Sequence, residues 1–197
     1  MYASPSSAFS AHDAYPPPFS IPLDRDPETD AFPAVIYLKN RVNKAWNRSD
    51  QYPNETVIPD DEKARFRERL LPILASSQPL VRQQLIPILQ RILHFDFPNQ
   101  WPSFMDFTIR LLNTNNTSSV LAGLQCLLAI CRAYRFKASD GANREQFDKI
   151  VAASFPRLLA ICNELVNEES DEAGEMLHIA LKAYKHATWV SVTREPG

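Results

Sequence analysis

Glu175 and His178 are the pair of residues whose types and spacing come closest to a metal-binding motif. A glutamate three residues before a histidine places both side chains on one face of a helix, and di-iron helical bundles use two such pairs with further inward-facing glutamates. The sequence contains the pair once, so a solvated helix face is the favoured interpretation. Because His12, His94 and His186 form no metal-ligand grouping either, we predict no metal site.

Other catalytic motifs are missing from the sequence. It contains no glycine-rich phosphate loop, no Gly-x-Ser-x-Gly turn and no His-Glu-x-x-His motif. Its three cysteines, Cys126, Cys131 and Cys162, lie in apolar helical patterns and form no Cys-x-x-Cys pair, which is typical of reduced, buried thiols. We therefore predict that the protein is not an enzyme and needs no cofactor.

From Ala34 onward, apolar residues recur at the spacing of amphipathic helices. The series Phe66, Leu70 and Leu74 is one example. Acidic residues at Asp60 favour a helix start there, and Ser118 or Ser119 is a predicted cap. The pattern predicts seven helices: 34–46, one from 60, 80–95, one from 101, one from 118 or 119, one from 143 after a loop at 138–142, and one after 171.

The helix starts recur at a nearly constant interval. Asp60, Trp101 and Asn143 are 41 and 42 residues apart, and each start is followed by a second helix. A two-helix unit of about 40–47 residues is the spacing of HEAT and armadillo repeats. We predict an all-α, HEAT/armadillo-like helical-repeat solenoid of about three to four helix pairs. Pro72, Pro87 and Pro156 fall inside predicted helices, which they are expected to kink or shorten.

Composition divides the chain into three parts. Residues 1–33 are rich in proline and serine and show no helical period, so we predict disorder there. Residues 34–189 form the repeat region, and 190–197 form a short tail. No signal peptide and no apolar run of membrane-spanning length stands out, so we expect no membrane insertion.

The net charge of −2 argues against direct nucleic-acid binding, which needs a strongly basic surface. Residues 34–135 carry 13 Lys and Arg against 8 Asp and Glu, a balance of +5. Solvated helix faces are favoured there over an acidic partner. The acidic residues between Glu164 and Glu175 surround one predicted loop, for which solvation is again favoured over a basic partner.

Several short motifs resemble the N-terminal repeats of importin-β (karyopherin-β) nuclear transport receptors. Ile36–Val42, followed by Trp46, is similar to the end of the first repeat of that family, and Val81–Leu85 and Phe97–Pro102 are similar to the repeats that follow. Cys131–Phe136 and Leu181–Lys185 look most like the importin-seven/importin-eight branch. The resemblance covers about Pro33 to Trp189.

The resemblance implies a transport receptor that binds Ran-GTP, nucleoporins and protein cargo, and that shuttles between cytoplasm and nucleus through the nuclear pore. In such receptors the second helix of each pair usually lines the concave face. By that analogy the residues expected to contact Ran are Lys39, Asn40, Gln83, Gln90, Arg91 and His94. The structural alternative is that Lys39 and Asn40 cap their helix or support a loop between repeats.

The ends depart from the family pattern. Family members have a helix before the motif that begins at Ile36, whereas a proline-rich segment stands there in this chain. They also continue for many more repeats after the equivalent of Trp189. We therefore interpret the sequence as a fragment or an incomplete gene model. Two other hypotheses remain: a HEAT-repeat scaffold unrelated to transport, and a catalytic helical bundle.

Overall fold

The computed structural model describes residues 27–135 and 141–192 as a series of α-helices. The described residues form seven helices and no strand, which confirms the predicted all-α class. In chain order these are α1 (Pro27–Ala45), α2 (Asp60–Ser76), α3 (Pro79–Asp96), α4 (Phe104–Leu112), α5 (Thr117–Tyr134), α6 (Gly141–Leu165) and α7 (Asp171–Val192).

The helices pack in two layers, as expected for a HEAT-like solenoid. We call α1, α3, α5 and α7 the B layer, because each of them packs on the next in that order. We call α2, α4 and α6 the A layer; α4 packs on α6, and each of the three also contacts α5. One apolar core runs through the stack from Val35 to Ala187. The predicted solenoid is therefore confirmed.

The first and last helices extend beyond the predicted ends of the repeat region. Helix α1 already includes the described residues from Pro27, seven residues before the predicted start at Ala34. Pro33 lies inside α1 with an exposed side chain. Helix α7 continues to Val192, three residues into the predicted tail. The rest of the predicted disordered segment, 1–26, and of the tail, 193–197, lie outside the described residues.

Three predicted helix starts are also wrong by a few residues. Helix α5 begins at Thr117 because Asn116 is its cap: the Asn116 side chain accepts a hydrogen bond of 2.9 Å from the Ser119 backbone N–H. The Ser118 hydroxyl instead donates to the Ala75 carbonyl. Helix α4 begins at Phe104, after a turn at 101–103. Helix α6 begins at Gly141, inside the predicted loop, of which 138–140 lie outside the described residues.

Prolines inside the helices face away from the core. Pro72, Pro87 and Pro156 lie within α2, α3 and α6 as predicted, and all three side chains are exposed. A proline removes one backbone hydrogen bond from a helix interior. On the exposed side, water can hydrogen-bond the carbonyl oxygen that the proline leaves without a donor. These helices therefore continue on both sides of their prolines.

Helix α5 is the most deeply buried element. Twelve of its 18 residues are buried, since helices of both layers surround it. By length and composition alone, Thr117–Tyr134 would be apolar enough to cross a membrane, which corrects the expectation that no apolar run has that length. Because 67% of this segment is buried against other helices, its composition is that of a core helix.

A buried carboxylate joins the first three helices. Asp96, at the end of α3, accepts a hydrogen bond of 3.1 Å from the Trp46 indole Nε1 and one of 2.6 Å from the Arg67 guanidinium of α2. The Asp96 side chain is only 7% exposed. Losing one partner of such a buried pair typically costs about 3–5 kcal/mol, because the other charge is left uncompensated. The Asp96 side chain therefore fixes the position of α2 against the packed helices α1 and α3 of the B layer.

Two glycines inside helices give a matched test of the packing. A methyl group on Gly123 of α5 would lie 3.0 Å from Leu112 Cδ2 and 3.1 Å from Leu111 Cβ of α4, whereas one on Gly174 of α7 would meet nothing within 4 Å. We expect Gly174→Ala to raise the free energy of unfolding by about 0.5–1 kcal/mol through helix propensity. Gly123→Ala should lower it by about 1 kcal/mol, because overpacking outweighs that gain.

Urea unfolding followed by circular dichroism measures both changes, and each variant serves as the control for the other. An equal rise in stability for the two variants would contradict the close approach of α4 to α5.

Candidate functional site

The residues that sequence analysis proposed on α3 lie together on one side of the helix. We call Gln83, Gln90, Arg91 and His94 the α3 polar face. Gln83 and His94 are exposed, and Gln90 and Arg91 are half-buried. The opposite side of the helix is in the core, through Leu85, Ile88, Leu89, Ile92 and Leu93. A polar surface of the B layer thus turns away from the core, as the helical period predicts.

Lys39 and Asn40, the two proposed residues of α1, have different surroundings. The Lys39 ammonium donates a 2.6 Å hydrogen bond to Oε1 of Gln84, so this side chain ties α1 to α3. The contact of Lys39 is with the next helix of the layer, which differs from the cap or loop contact of the structural alternative. Asn40 is exposed.

Arg91 connects the two helices on the same surface. Its guanidinium donates a hydrogen bond of 3.4 Å to the Asn43 carbonyl of α1 and lies 4.5 Å from the centre of the Phe95 ring. Its Nε is buried and has no hydrogen-bond partner among the described residues. Burying a polar atom without a partner costs free energy. A ligand atom that accepted from Arg91 would remove this cost.

The ion pairs of the described residues fall almost entirely on the A layer and the loops. Helices α2 and α6 carry most of them, and the α1 cations Arg41 and Lys44 pair with Glu55 in the following loop. Asp96 is the B-layer carboxylate that forms a pair, and it is buried. By contrast, no carboxylate among the described residues pairs with Arg91, Arg132, Lys182 or Lys185 of α3, α5 and α7. These four B-layer side chains therefore carry positive charge that no carboxylate of the described residues neutralises.

Sequence analysis missed the part of this charge on α5 and α7. We call Arg132, Lys182, Lys185 and His186 the α5–α7 basic cluster. Lys182 and Lys185 are exposed, and Arg132 and His186 are half-buried. Desolvation by burial lowers the pKa of His186 below its usual 6.5, and the charges of Arg132, Arg135, Lys185 and Lys182 lower it further. Only Arg132 of this cluster lies in the positively balanced stretch 34–135, so the charge balance of the sequence is no signal for the cluster.

The chemically reactive residue types do not form a catalytic site in the described part of the chain. Glu175 and His178 are both exposed on α7, and no group of three or more His, Cys, Asp or Glu side chains there could hold a metal ion. Burial raises the pKa of the Cys126 and Cys131 thiols to about 12, so both stay protonated and unreactive at neutral pH. The prediction of buried thiols is confirmed for these two cysteines and is wrong for Cys162, which is only half-buried.

Two cavities of the described residues are small. One of about 200 Å³ lies between α2 and α4, beside Leu71, Trp101 and Phe107. The other, of about 270 Å³, lies where the loop before α5 meets α6. Typical small-molecule sites measure roughly 300–1,000 Å³, so neither cavity is large enough for a substrate or cofactor of ordinary size. The extended polar surface of the B layer remains as the candidate binding site.

Two families of known proteins match this chain, one after the other along the sequence. Residues 31–76 match the importin-beta N-terminal domain, and residues 78–194 match the family of exportin 1-like proteins. The boundary between the matches falls between α2 and α3.

The chain is also similar to individual receptors. It is 27% identical over 152 residues to a probable importin-7 homolog of Dictyostelium discoideum, covering 77% of this chain and 14% of that protein. It is 30% identical over 129 residues to mouse importin-8, covering 64% and 13%. An exportin-2 of Dictyostelium discoideum is 31% identical over 123 residues, covering 60% and 12%. The chain thus spans about one seventh of the length of these relatives.

The burial of His186 and the cations around it predict a lowered pKa that can be measured. Its pKa should lie below 6.5 in a titration of the histidine ring signals by NMR, and Arg132→Gln should raise it, because one repelling charge is removed. Since the fold favours the neutral ring, unfolding takes up a proton below pH 6.5. The contribution of His186 to stability is therefore present above that pH and is lost as the pH falls through the lowered pKa. An unchanged His186 pKa in Arg132→Gln would contradict the proximity of these two groups.

Proposed function

Because the chain belongs to the importin-β family of nuclear transport receptors, as an N-terminal region, we propose that it binds the GTP-bound form of the small GTPase Ran through its B layer. The chain acts in this proposal as a non-catalytic scaffold for protein import into the nucleus. Its function is to offer a shaped, polar surface rather than to change a substrate.

The observation that carries this proposal is the uninterrupted order of the two family matches. The importin-beta N-terminal domain match covers most of α1 and α2, and the exportin 1-like match begins at residue 78, just before α3. The resemblance of the sequence implies that the N-terminal repeats of such receptors hold Ran-GTP. The matched region includes the B layer with its polar face, so the chain has the part of the receptor that this interaction would need.

The proposed Ran-binding residues differ in their freedom to make new contacts. Asn40, Gln83 and His94 are exposed on α1 and α3. Gln90 and Arg91 are half-buried beside them, and Arg91 has a buried Nε without a partner. Lys39 is already bonded to Gln84, so it would support the surface and contact Ran only by giving up or sharing that hydrogen bond. We therefore place Arg91 at the centre of the contact and Lys39 behind it.

Nucleoporins and protein cargo are further partners in this proposal. Their binding, and shuttling between cytoplasm and nucleus through the nuclear pore, follow from the family rather than from a particular pocket of this chain. The exposed apolar side chains Leu159, Leu181 and Tyr184, between 55% and 64% exposed, offer additional contact area on α6 and α7.

A binding experiment with Ran tests the proposal. We expect the immobilised chain to retain GTP-loaded Ran and to retain GDP-loaded Ran much less. Arg91→Glu should weaken binding of the GTP form by about tenfold, equivalent to about 1.4 kcal/mol, because it reverses a charge at the centre of the surface. Surface plasmon resonance gives both affinities.

Arg69→Glu is the matched control. Arg69 is an exposed arginine of α2 in the A layer, without an ion pair among the described residues. It should bind Ran as the unchanged chain does. Equal retention of the two nucleotide forms would contradict the transport proposal and leave a HEAT-repeat scaffold of another assembly. Equal loss of affinity in both variants would contradict the placement of the contact on the B layer.

A further inference from the structure

The α5–α7 basic cluster concentrates positive charge on two neighbouring helices of the B layer. Arg132, Lys182 and Lys185 have no carboxylate partner among the described residues. Helix α5 contains no acidic residue at all, and α7 has none in its described part after Glu175. Glu175 precedes Lys182 by seven residues, about 10 Å along the helix, which is close to the Debye length at physiological salt.

Packing brings these basic residues close together on two neighbouring helices. Helix α6 returns the chain between α5 and α7, so these two B-layer helices run in the same direction. The Arg135 guanidinium lies 4.6 Å from the centre of the Trp189 ring, so these two residues are at the same height along the two helices. Arg132 and His186 each come three residues earlier, about one turn, and are therefore level with each other. Lys182 lies one further turn back on α7.

We propose that the α5–α7 basic cluster is a docking site for an acidic segment of a partner protein. Carboxylates spaced along an extended peptide would cross from α5 to α7 and pair with Arg132, Lys182 and Lys185. Arginine offers a carboxylate two parallel N–H donors, and the two exposed lysines supply point charges beside it. The site is separate from the α3 polar face. An acidic segment on α5 and α7 and Ran on α1 and α3 could therefore be bound at the same time on different helices of the B layer.

A protein segment fits this cluster better than a nucleic acid does. Nucleic-acid binding needs a basic surface large enough to neutralise many phosphates. The cluster offers three permanent cations and one histidine, and the whole chain carries a net charge of −2. The aromatic side chain next to the cluster, Trp189, is already covered on one face by Arg135. A short run of carboxylates matches the number of charges, whereas a long polyanion would meet repulsion elsewhere on the chain.

His186 makes such binding sensitive to pH. The groups that act on it are Arg132 of α5, Arg135 directly after α5, and Lys182 and Lys185 on its own helix, all of them cationic. No charged group of α6 acts on it within the described residues. Carboxylates placed on the cluster would oppose these charges and raise the pKa of His186. Binding would then take up a proton, so affinity should increase as the pH falls below about 7 and level off once the free protein is protonated.

The test measures binding of a fluorescent synthetic peptide of alternating glutamate and serine by fluorescence anisotropy. We expect affinity that decreases as salt is added and that vanishes when glutamine replaces glutamate in the peptide. The double substitution Lys182→Gln and Lys185→Gln should weaken binding at least about threefold, as expected for two partly screened ion pairs. His186→Gln should keep binding at pH 8 and lose the increase in affinity at lower pH.

Lys149→Gln is the control variant, because Lys149 is an exposed lysine of the A layer that pairs only with Glu145 one turn away. It should bind the peptide as the unchanged chain does, and thermal unfolding shows whether each variant is folded. Equal affinities of the double variant and the unchanged chain would overturn the site. Tighter binding of a single-stranded oligonucleotide than of the peptide would replace the acidic segment by a nucleic acid. Affinity independent of pH would remove His186 from the cluster.

Discussion

The burial of α5 on nearly every side is the constraint on which the rest of the molecule depends. Helices of both layers pack on it, and residues from Val120 to Tyr134 contribute to one continuous core. A helix in that position can carry almost no charge, which explains why its composition resembles that of a membrane span. It also requires Gly123, because α4 approaches too closely for a larger residue without rearrangement. Each helix pair thus depends on its neighbour for burial, as in other solenoids.

The same stacking separates charge between the layers. On the A layer and in the loops, acids and bases neutralise each other locally, mostly within one helix, and such exposed pairs contribute little to stability. Where a carboxylate is needed inside, at Asp96, Trp46 and Arg67 both bond to it. On the B layer, Arg41 and Lys44 pair with Glu55, whereas other cations have carbonyl oxygens, amide side chains or aromatic rings as partners, as for Lys39 and Arg91. A surface of this kind is suited to binding a polar or acidic protein surface.

Much of the fold could be predicted from the sequence, because helical periodicity and repeat length reflect burial directly. The start of α2 at Asp60 and both ends of α3 agree with the pattern to within one residue. The first part of α1 is not evident from the sequence because prolines such as those at 27 and 33 usually indicate disorder, although proline is compatible with an exposed helix face, as at Pro33. The α3 polar face was found because its residues share one helix. The bond from Lys39 to Gln84 and the α5–α7 basic cluster were not found, since both depend on the register between helices, which periodicity within one helix does not contain.

Native-state hydrogen exchange of the whole chain tests the central claim most directly. If α5 is enclosed by both layers, its amides from Leu121 to Ile130 should exchange more slowly than those of any other helix, and only through global unfolding. Their opening free energy should then equal the free energy of unfolding measured in urea. Exchange of these amides as fast as that of the exposed first turn of α6, or through a local opening that leaves α3 and α7 protected, would contradict the account.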